Sequence, residues 1–216
     1  MYHYVEDKLF LQKMRSLSGE MLQSLCHYLK EDYGIGSSFY LVGSGGRNLI
    51  LQNENNPIDL DYNLEIVKCD DYTEGKYIKE CVRKTFNKVL KEYHLRDCED
   101  STSSLTSKLI CFDNHSTCFK IDVCITRREK DDTYQRLIHE KTGWVDFDRY
   151  FWNEAPNSRN LNQKVNYIKK SGKWGLVREQ YLMLKNMYLS WNNHTHPSFV
   201  CYVEAVNNVY NSRSNW

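Results

Sequence analysis

The chain has 216 residues, of which 41% are hydrophobic and 26% charged, enough to build the core of one globular domain. Its 29 basic residues nearly match its 28 acidic ones, and this net charge of +1 is unlike the strongly basic surface of proteins that bind duplex DNA. Since the sequence has no apolar run long enough for a membrane span and no signal-peptide pattern, we expect a cytoplasmic protein without a membrane partner.

The first quarter of the chain shows a helical pattern followed by a strand pattern. Apolar residues at helical spacing predict a helix over residues 6–33, with a candidate break at Ser18-Gly19. A short apolar run, residues 39–42, predicts a buried strand because it is too short for a helix and meets glycine. The glycine-rich turn of residues 43–46 ends that strand, and a short helix is expected from Arg47 to about Gln52.

The middle of the chain continues with strand and helix patterns. We expect a strand over residues 58–67, a helix over 75–93 and a hairpin that pairs 107–112 with 117–125. A charged segment then follows that is typical of a solvated linker, and later periodicity predicts helices over 132–140, 160–170, 175–190 and 198–210. These patterns divide the chain into a mixed α+β part, residues 1–126, and a helical part, residues 127–216.

The eight cysteines are scattered along the chain without a Cys-x-x-Cys pair. A chain of this length buries roughly 70% of its unfolded surface, so it needs no covalent links for stability. Disulfide frameworks are also rare in intracellular proteins. We therefore expect most of the cysteines to be reduced and to fill apolar space.

Three acidic residues occupy positions on predicted strands. Asp59 and Asp61 are two residues apart, so both carboxylates project from one face with Cα atoms about 6.5–7 Å apart. Asp122 lies on a later strand, opposite the apolar side chains of that strand. Crowded carboxylates are costly unless a cation offsets their charge, and Mg²⁺ takes one or two carboxylates while keeping sites for water and phosphate. Two such ions would activate an attacking hydroxyl and stabilise a pyrophosphate leaving group.

The glycine-rich turn lies shortly before the first two carboxylates. Glycines allow the backbone to approach an anion closely, and free N–H groups at a helix start favour a phosphate. Ser44 adds a hydroxyl donor to the turn. The order along the chain is therefore a phosphate cradle, a pair of carboxylates and a third carboxylate.

This order resembles the signature of the DNA-polymerase-β-type nucleotidyltransferase superfamily. The matching segments are Val42-Gly43-Ser44, Asp59-Leu60-Asp61-Tyr62 and Ile121-Asp122-Val123. Members transfer a nucleoside monophosphate from an NTP to a hydroxyl, with two Mg²⁺ ions, for which Mn²⁺ can substitute, and release of pyrophosphate. The resemblance implies an α+β fold with a short mixed sheet, flanking helices and a helical part that closes the nucleotide cleft. It spans residues 38–125, with a longer insert after Ser44 than compact members have.

The resemblance also implies a role for each residue of the signature. Gly43 and Ser44 would hold the β- and γ-phosphates of the NTP. Asp59 and Asp61 would ligate both metal ions. Asp122 would ligate the catalytic metal ion and help to deprotonate the acceptor hydroxyl.

The helical part has a basic bias that fits a triphosphate partner. Residues 161–190 contain six basic residues and a single acid, Glu179. Such an excess can steer an anionic substrate towards a cleft. In similar nucleotidyltransferases a lysine of the helical part contacts the terminal phosphate, and Lys173 and Lys185 are the candidates for that contact.

The sequence leaves the acceptor open. A second nucleotide, as in a second-messenger synthase, suits the neutral net charge, whereas a tRNA or other RNA 3′ end calls for a basic track outside the cleft. A small molecule and a protein are further candidates for the acceptor. The alternative from another class is a non-catalytic nucleotide-binding protein, which the intact set of three carboxylates disfavours because unused crowded carboxylates are a liability.

Overall fold

The computed structural model describes residues 1–129, 133–158, 160–191, 193 and 196–216. The helices are α1 (Lys8–Tyr33), α2 (Gly43–Arg47), α3 (Gly75–Glu92), α4 (Leu161–Lys170), α5 (Trp174–Ser190) and α6 (Ser198–Asn211). The strands are β1 (Tyr2–Tyr4), β2 (Gly36–Leu41), β3 (Leu51–Asn53), β4 (Ile58–Lys68), β5 (Glu99–Asp100), β6 (Leu105–Thr106), β7 (Ile110–Cys111), β8 (Cys118–Arg128), β9 (Tyr134–Glu140) and β10 (Arg149–Glu154).

A mixed β-sheet with helices forms the first part of the fold, as the sequence predicted. Its main path runs β10-β9-β8-β4-β2, with β4 and β8 parallel and the other neighbours on this path antiparallel. The short strands β6 and β7 also pair with β8, on the edge that does not contact β4. The two longest strands, β4 and β8, therefore lie side by side in the middle of the sheet.

Helix α1 is continuous, so the predicted break at Ser18-Gly19 is wrong. Asp7 caps its first turn by accepting a hydrogen bond from the Phe10 N–H, and Gly34 ends it with a φ of +68°. The buried face of the helix continues on both sides of Gly19, from Met14 to Leu29. A glycine inside a helix costs only about 1 kcal/mol, which this packing outweighs.

Two further predictions of secondary structure are wrong. The helical turn after β2 occupies the glycine-rich segment itself, and the region expected to continue it contains β3. Residues 134–140 form strand β9 instead of a helix, because this segment pairs with β8 and β10 and buries Leu137 and Ile138.

The pairing of β9 and β10 extends the sheet to Glu154, beyond the predicted boundary at residue 126. The charged segment that we interpreted as a linker continues β8 as far as Arg128, and its residues 130–132 lie outside the described part of the chain. The helical region therefore begins at Leu161.

One cysteine pair forms a disulfide, which the sequence did not predict. Cys111 and Cys118 are register partners in the antiparallel pair of β7 and β8, with Cα atoms 4.4 Å apart. This proximity depends on how the hairpin pairs, which spacing alone does not reveal. The other six cysteines are free, as expected for most of them.

The N-terminal strand β1 connects the sheet to the helical region. It pairs with β3, and the backbone of Tyr2 forms hydrogen bonds in both directions with the side chain of Asn186 on α5. The Tyr4 hydroxyl donates to the backbone carbonyl of Arg178, also on α5. These contacts hold α5 against β1. No helix in the described ranges combines the length and apolarity of a bilayer span.

A buried ion pair fixes α3 to the β5 strand. Lys79 is 2% exposed, lies 2.7 Å from the Asp100 carboxylate and donates to the Ser101 carbonyl. Replacing Lys79 by methionine leaves that carboxylate without its cation, so we expect the free energy of unfolding to fall by about 3 kcal/mol in urea titrations. Lys88→Met, which breaks an exposed pair with Asp32, is the matched control and should cost under about 1 kcal/mol. Equal losses in the two variants would contradict this account.

Candidate active site

The three predicted carboxylates meet at one cavity of about 350 Å³. Asp61 on β4 is the register partner of Asp122 on β8 in the parallel pair of these two strands. Asp59 lies two residues earlier on β4 and faces the same cavity. Neighbouring strands are about 4.8 Å apart, so the carboxylates of Asp61 and Asp122 are immediate neighbours on the sheet.

The glycine-rich turn packs against the carboxylate row, which is formed by Asp59, Asp61 and Asp122. The backbone N–H of Val42 donates to the Asp61 carbonyl at 2.8 Å, which fixes the start of the turn against β4. Gly43 has a φ of +59°, and a side chain there would overlap the carboxylate of Asp61. A glycine is therefore required both by the backbone conformation and by the close approach. Ser44 lines the same cavity.

The electrostatics of the row favour a bound cation. Burial, together with the negative charges of Asp122 and Asp59, raises the pKa of Asp61 to about 6. Burial and the charge of Asp122 also raise the pKa of Asp59, and burial raises that of Asp122. Burial and mutual repulsion thus destabilise the charged form of these carboxylates, and a bound cation would offset that cost.

The carboxylate oxygens suit a hard divalent cation. Within the described residues, no three side chains of the His, Cys, Asp and Glu types are arranged to enclose a single metal ion. Mg²⁺ does not need such an enclosure, because it is usually held by one or two carboxylates and completes its octahedron with water and phosphate oxygens. The neighbouring pair Asp61 and Asp122, with Asp59 beside them, fits that requirement.

The opposite wall of the cavity comes from the helical region. Lys185 on α5 lines the cavity, donates to the Ser198 hydroxyl at 3.2 Å and lies 4.8 Å from the centre of the Tyr2 ring. Lys173, the other predicted lysine, lies at the start of α5 and outside the residues that line the cavity. Of the two lysines, the structure brings only Lys185 to the carboxylates.

Further residues at the site were not predicted. Arg47, at the end of α2, donates to the Gly43 carbonyl at 3.0 Å and lies 4.3 Å from the centre of the Tyr202 ring on α6. It therefore links the glycine-rich turn to the helical wall, and its charge opposes the rise in the pKa of Asp61. Tyr181 also lines this wall, and burial raises its pKa to about 12, so it remains a neutral hydroxyl. The position of Arg47 directly after the glycines was the signal available in the sequence.

No family model and no curated protein matches this chain. Solved structures do match it. Escherichia coli MS115-1 CdnC with ATP is 14% identical with a TM-score of 0.58, over 93% of this chain and 61% of that one. Elizabethkingia meningoseptica CdnE, a cyclic dinucleotide synthase with GTP and Apcpp, is 14% identical with a TM-score of 0.53, over 90% and 69%. Vibrio cholerae DncV, a cyclic AMP-GMP synthase with nonhydrolyzable GTP, is 16% identical with a TM-score of 0.50, over 70% and 39%.

The chain has the nucleotidyltransferase fold. The shared fold agrees with the resemblance of the sequence to the DNA-polymerase-β-type superfamily. This chain spans 61% of the length of CdnC and 39% of that of DncV. Within the nucleotidyltransferase fold, the row of carboxylates lies on the central parallel strands and the lysine lies on the helical wall.

Proposed function

We propose that this protein is a metal-dependent nucleotidyltransferase that moves a nucleoside monophosphate from an NTP to an acceptor hydroxyl and releases pyrophosphate. One observation carries the proposal: three carboxylates, a glycine-rich turn and a lysine line the same cavity. A cavity with negative and positive groups on opposite walls suits a triphosphate that is bridged by cations.

The phosphates would lie between the turn and the helical wall. Gly43 allows close approach of the backbone, Ser44 offers a hydroxyl, and Lys185 supplies a positive charge from the opposite side. We propose Lys185, and not Lys173, as the contact of the terminal phosphate, because only Lys185 lines the cavity.

The carboxylates would hold two Mg²⁺ ions, or Mn²⁺ in their place. Such ions activate an attacking hydroxyl and neutralise a leaving pyrophosphate. Asp59 and Asp61 would ligate both ions, while Asp122 would ligate the ion nearest the acceptor and accept the proton of its hydroxyl. Because all three side chains stand on adjacent strands of one sheet, the acceptor and the α-phosphate would be positioned by a rigid surface.

We further propose that the acceptor is a second nucleotide. CdnE is a cyclic dinucleotide synthase and DncV a cyclic AMP-GMP synthase, and both share the fold at low sequence identity. The near-neutral net charge of this chain agrees with a small acceptor, since a long RNA would require a basic surface outside the cavity.

An assay without added acceptor tests the function and the acceptor together. The protein is incubated with all four NTPs, one α-labelled at a time, and with Mg²⁺ or Mn²⁺. We expect a labelled dinucleotide, linear or cyclic, together with pyrophosphate. Labelled protein would indicate self-modification, and tight NTP binding without any pyrophosphate would identify a non-catalytic binding protein; both results contradict a nucleotide synthase.

Removal of Lys185 should weaken the binding of the triphosphate. A charge-assisted hydrogen bond contributes about 1.5–3 kcal/mol, so Lys185→Ala is expected to raise KM for the NTP about tenfold or more. Lys173→Ala is the comparison, since this residue lies outside the cavity, and its KM should equal that of the unchanged protein. The reverse pattern in steady-state kinetics would assign the phosphate contact to Lys173.

A further inference from the structure

A threonine extends the carboxylate row across a third strand. The antiparallel pair of β6 and β8 makes Thr106 the register partner of Asp122, and the parallel pair of β4 and β8 makes Asp122 the partner of Asp61. Partner side chains of neighbouring strands lie on the same face of a sheet. Asp122 therefore has a carboxylate on one side and a hydroxyl on the other.

The threonine hydroxyl donates a hydrogen bond to the carboxylate. Thr106 Oγ1 contacts Oδ1 of Asp122. This hydrogen bond lowers the pKa of Asp122 against the effect of burial, so it favours the charged form. It also fixes the rotation of the carboxylate, which leaves Oδ2 for a ligand in the cavity that Asp122 lines.

The backbone around Thr106 is itself held in place. The next residue, Ser107, is buried, and it forms two hydrogen bonds with Ile121: its N–H donates to the Ile121 carbonyl, and its hydroxyl accepts from the Ile121 N–H, both at 2.9 Å. Threonine is branched at Cβ, which restricts its side chain in a strand. The strand pairing of Thr106 and the hydrogen bonds of Ser107 thus hold the donor next to Asp122.

We propose that Thr106 is a positioning residue for the reaction, because it holds the Asp122 carboxylate in the orientation that ligates the metal ion nearest the acceptor. This inference rests on the proposed nucleotidyltransferase function. Groups that orient a metal ligand typically contribute tenfold to 100-fold to metal affinity or activity. An effect of that size on turnover, without a change in NTP binding, distinguishes positioning from direct contact with the substrate.

Three substitutions separate the hydroxyl from the shape of the side chain. Thr106→Val keeps the shape and removes the donor, whereas Thr106→Ser keeps the donor. Thr126→Val is the matched control, because Thr126 is also buried on the sheet but its hydroxyl makes no hydrogen bond with the residues that the structure describes. Pyrophosphate release with the four NTPs gives kcat and KM. Calorimetry with Mn²⁺, in the presence of a nonhydrolysable ATP or GTP analogue, reports metal affinity without turnover.

We expect Thr106→Val to lower kcat and Mn²⁺ affinity about tenfold to 100-fold, with KM for the NTP within about threefold. Thr106→Ser should regain most of both, and Thr126→Val should match the unchanged protein. Equal behaviour of Thr106→Val and Thr126→Val would overturn the inference. Asp122→Asn distinguishes failure of this inference from failure of the proposed function. If Asp122→Asn loses Mn²⁺ affinity while Thr106→Val does not, only the role of Thr106 fails. If Asp122→Asn and Thr106→Val both retain full affinity and activity, the proposed function fails as well.

Discussion

Replacing Asp61 by asparagine is expected to abolish Mg²⁺-dependent release of pyrophosphate. Asp61 is the central carboxylate of the site, next to Asp122 across the strands and two residues from Asp59. Asparagine keeps the shape but removes the negative charge that would hold the metal ions. A loss of about 4 kcal/mol of transition-state stabilisation corresponds to about a 1,000-fold lower rate. The measurement is the initial rate of pyrophosphate release under saturating NTP and Mg²⁺.

The same substitution should not destabilise the fold. The pKa of Asp61 is raised from 3.8 to about 6, so at pH 7 the charged group costs the metal-free protein about 3 kcal/mol, which asparagine removes. The unchanged protein should gain stability relative to the variant as pH falls from about 6 to about 4. In this range Asp61 is protonated in the folded form but still charged in the unfolded chain. Urea midpoints across this range provide the check.

An exposed aspartate outside the cavity supplies the control for activity. Asp146, in the turn before β10, is exposed and does not line the cavity, so Asp146→Asn should retain the full rate. Turnover of Asp61→Asn near that of the control would contradict the proposed mechanism. A large loss of stability in Asp61→Asn would show that its carboxylate supports the fold instead of a ligand.

Replacing Gly43 by alanine should have the second largest effect. The positive φ of Gly43 strains any residue with a side chain by about 1–3 kcal/mol, and the added methyl group would overlap the Asp61 carboxylate. Either the turn or the carboxylate must move. Because misplacement of about 1 Å in a catalytic site can cost 100-fold in rate, we expect at least that loss in pyrophosphate release.

Gly34 provides a matched control for the strain. It also has a positive φ, +68°, but a side chain there would meet no atom within 4 Å. Gly34→Ala and Gly43→Ala should both lower the thermal midpoint, whereas only Gly43→Ala should lose activity. An active Gly43→Ala variant would show that the turn does not need its close contact with Asp61.

The parts of the fold that depend on local sequence could be predicted. The alternation around Asp59 and Asp61 specified β4 and its polar face, because the strand period of two is present in the sequence itself. Segment 134–140 was wrongly predicted as part of a helix, since its apolar residues are few and their burial depends on pairing with β8 and β10. The disulfide between Cys111 and Cys118 likewise depends on the register of paired strands.

The candidate site shows the same division. Its carboxylates and glycine-rich turn were visible as motifs, because each needs only a few neighbouring residues. Thr106 reaches Asp122, and Arg47 reaches Tyr202, only through contacts between segments that are distant in the chain. Single threonines are common in any sequence, so no local pattern distinguishes Thr106, whereas the position of Arg47 directly after the glycines was a local signal.

The most direct test is a crystal structure of the protein with Mn²⁺ and a nonhydrolysable ATP or GTP analogue. We predict anomalous density for Mn²⁺ in contact with Asp61 and with at least one of Asp59 and Asp122, and phosphates against Gly43 and Ser44. A triphosphate bound in the cavity without Mn²⁺ at these carboxylates, or Mn²⁺ bound elsewhere on the protein, would contradict a metal-dependent nucleotidyltransferase.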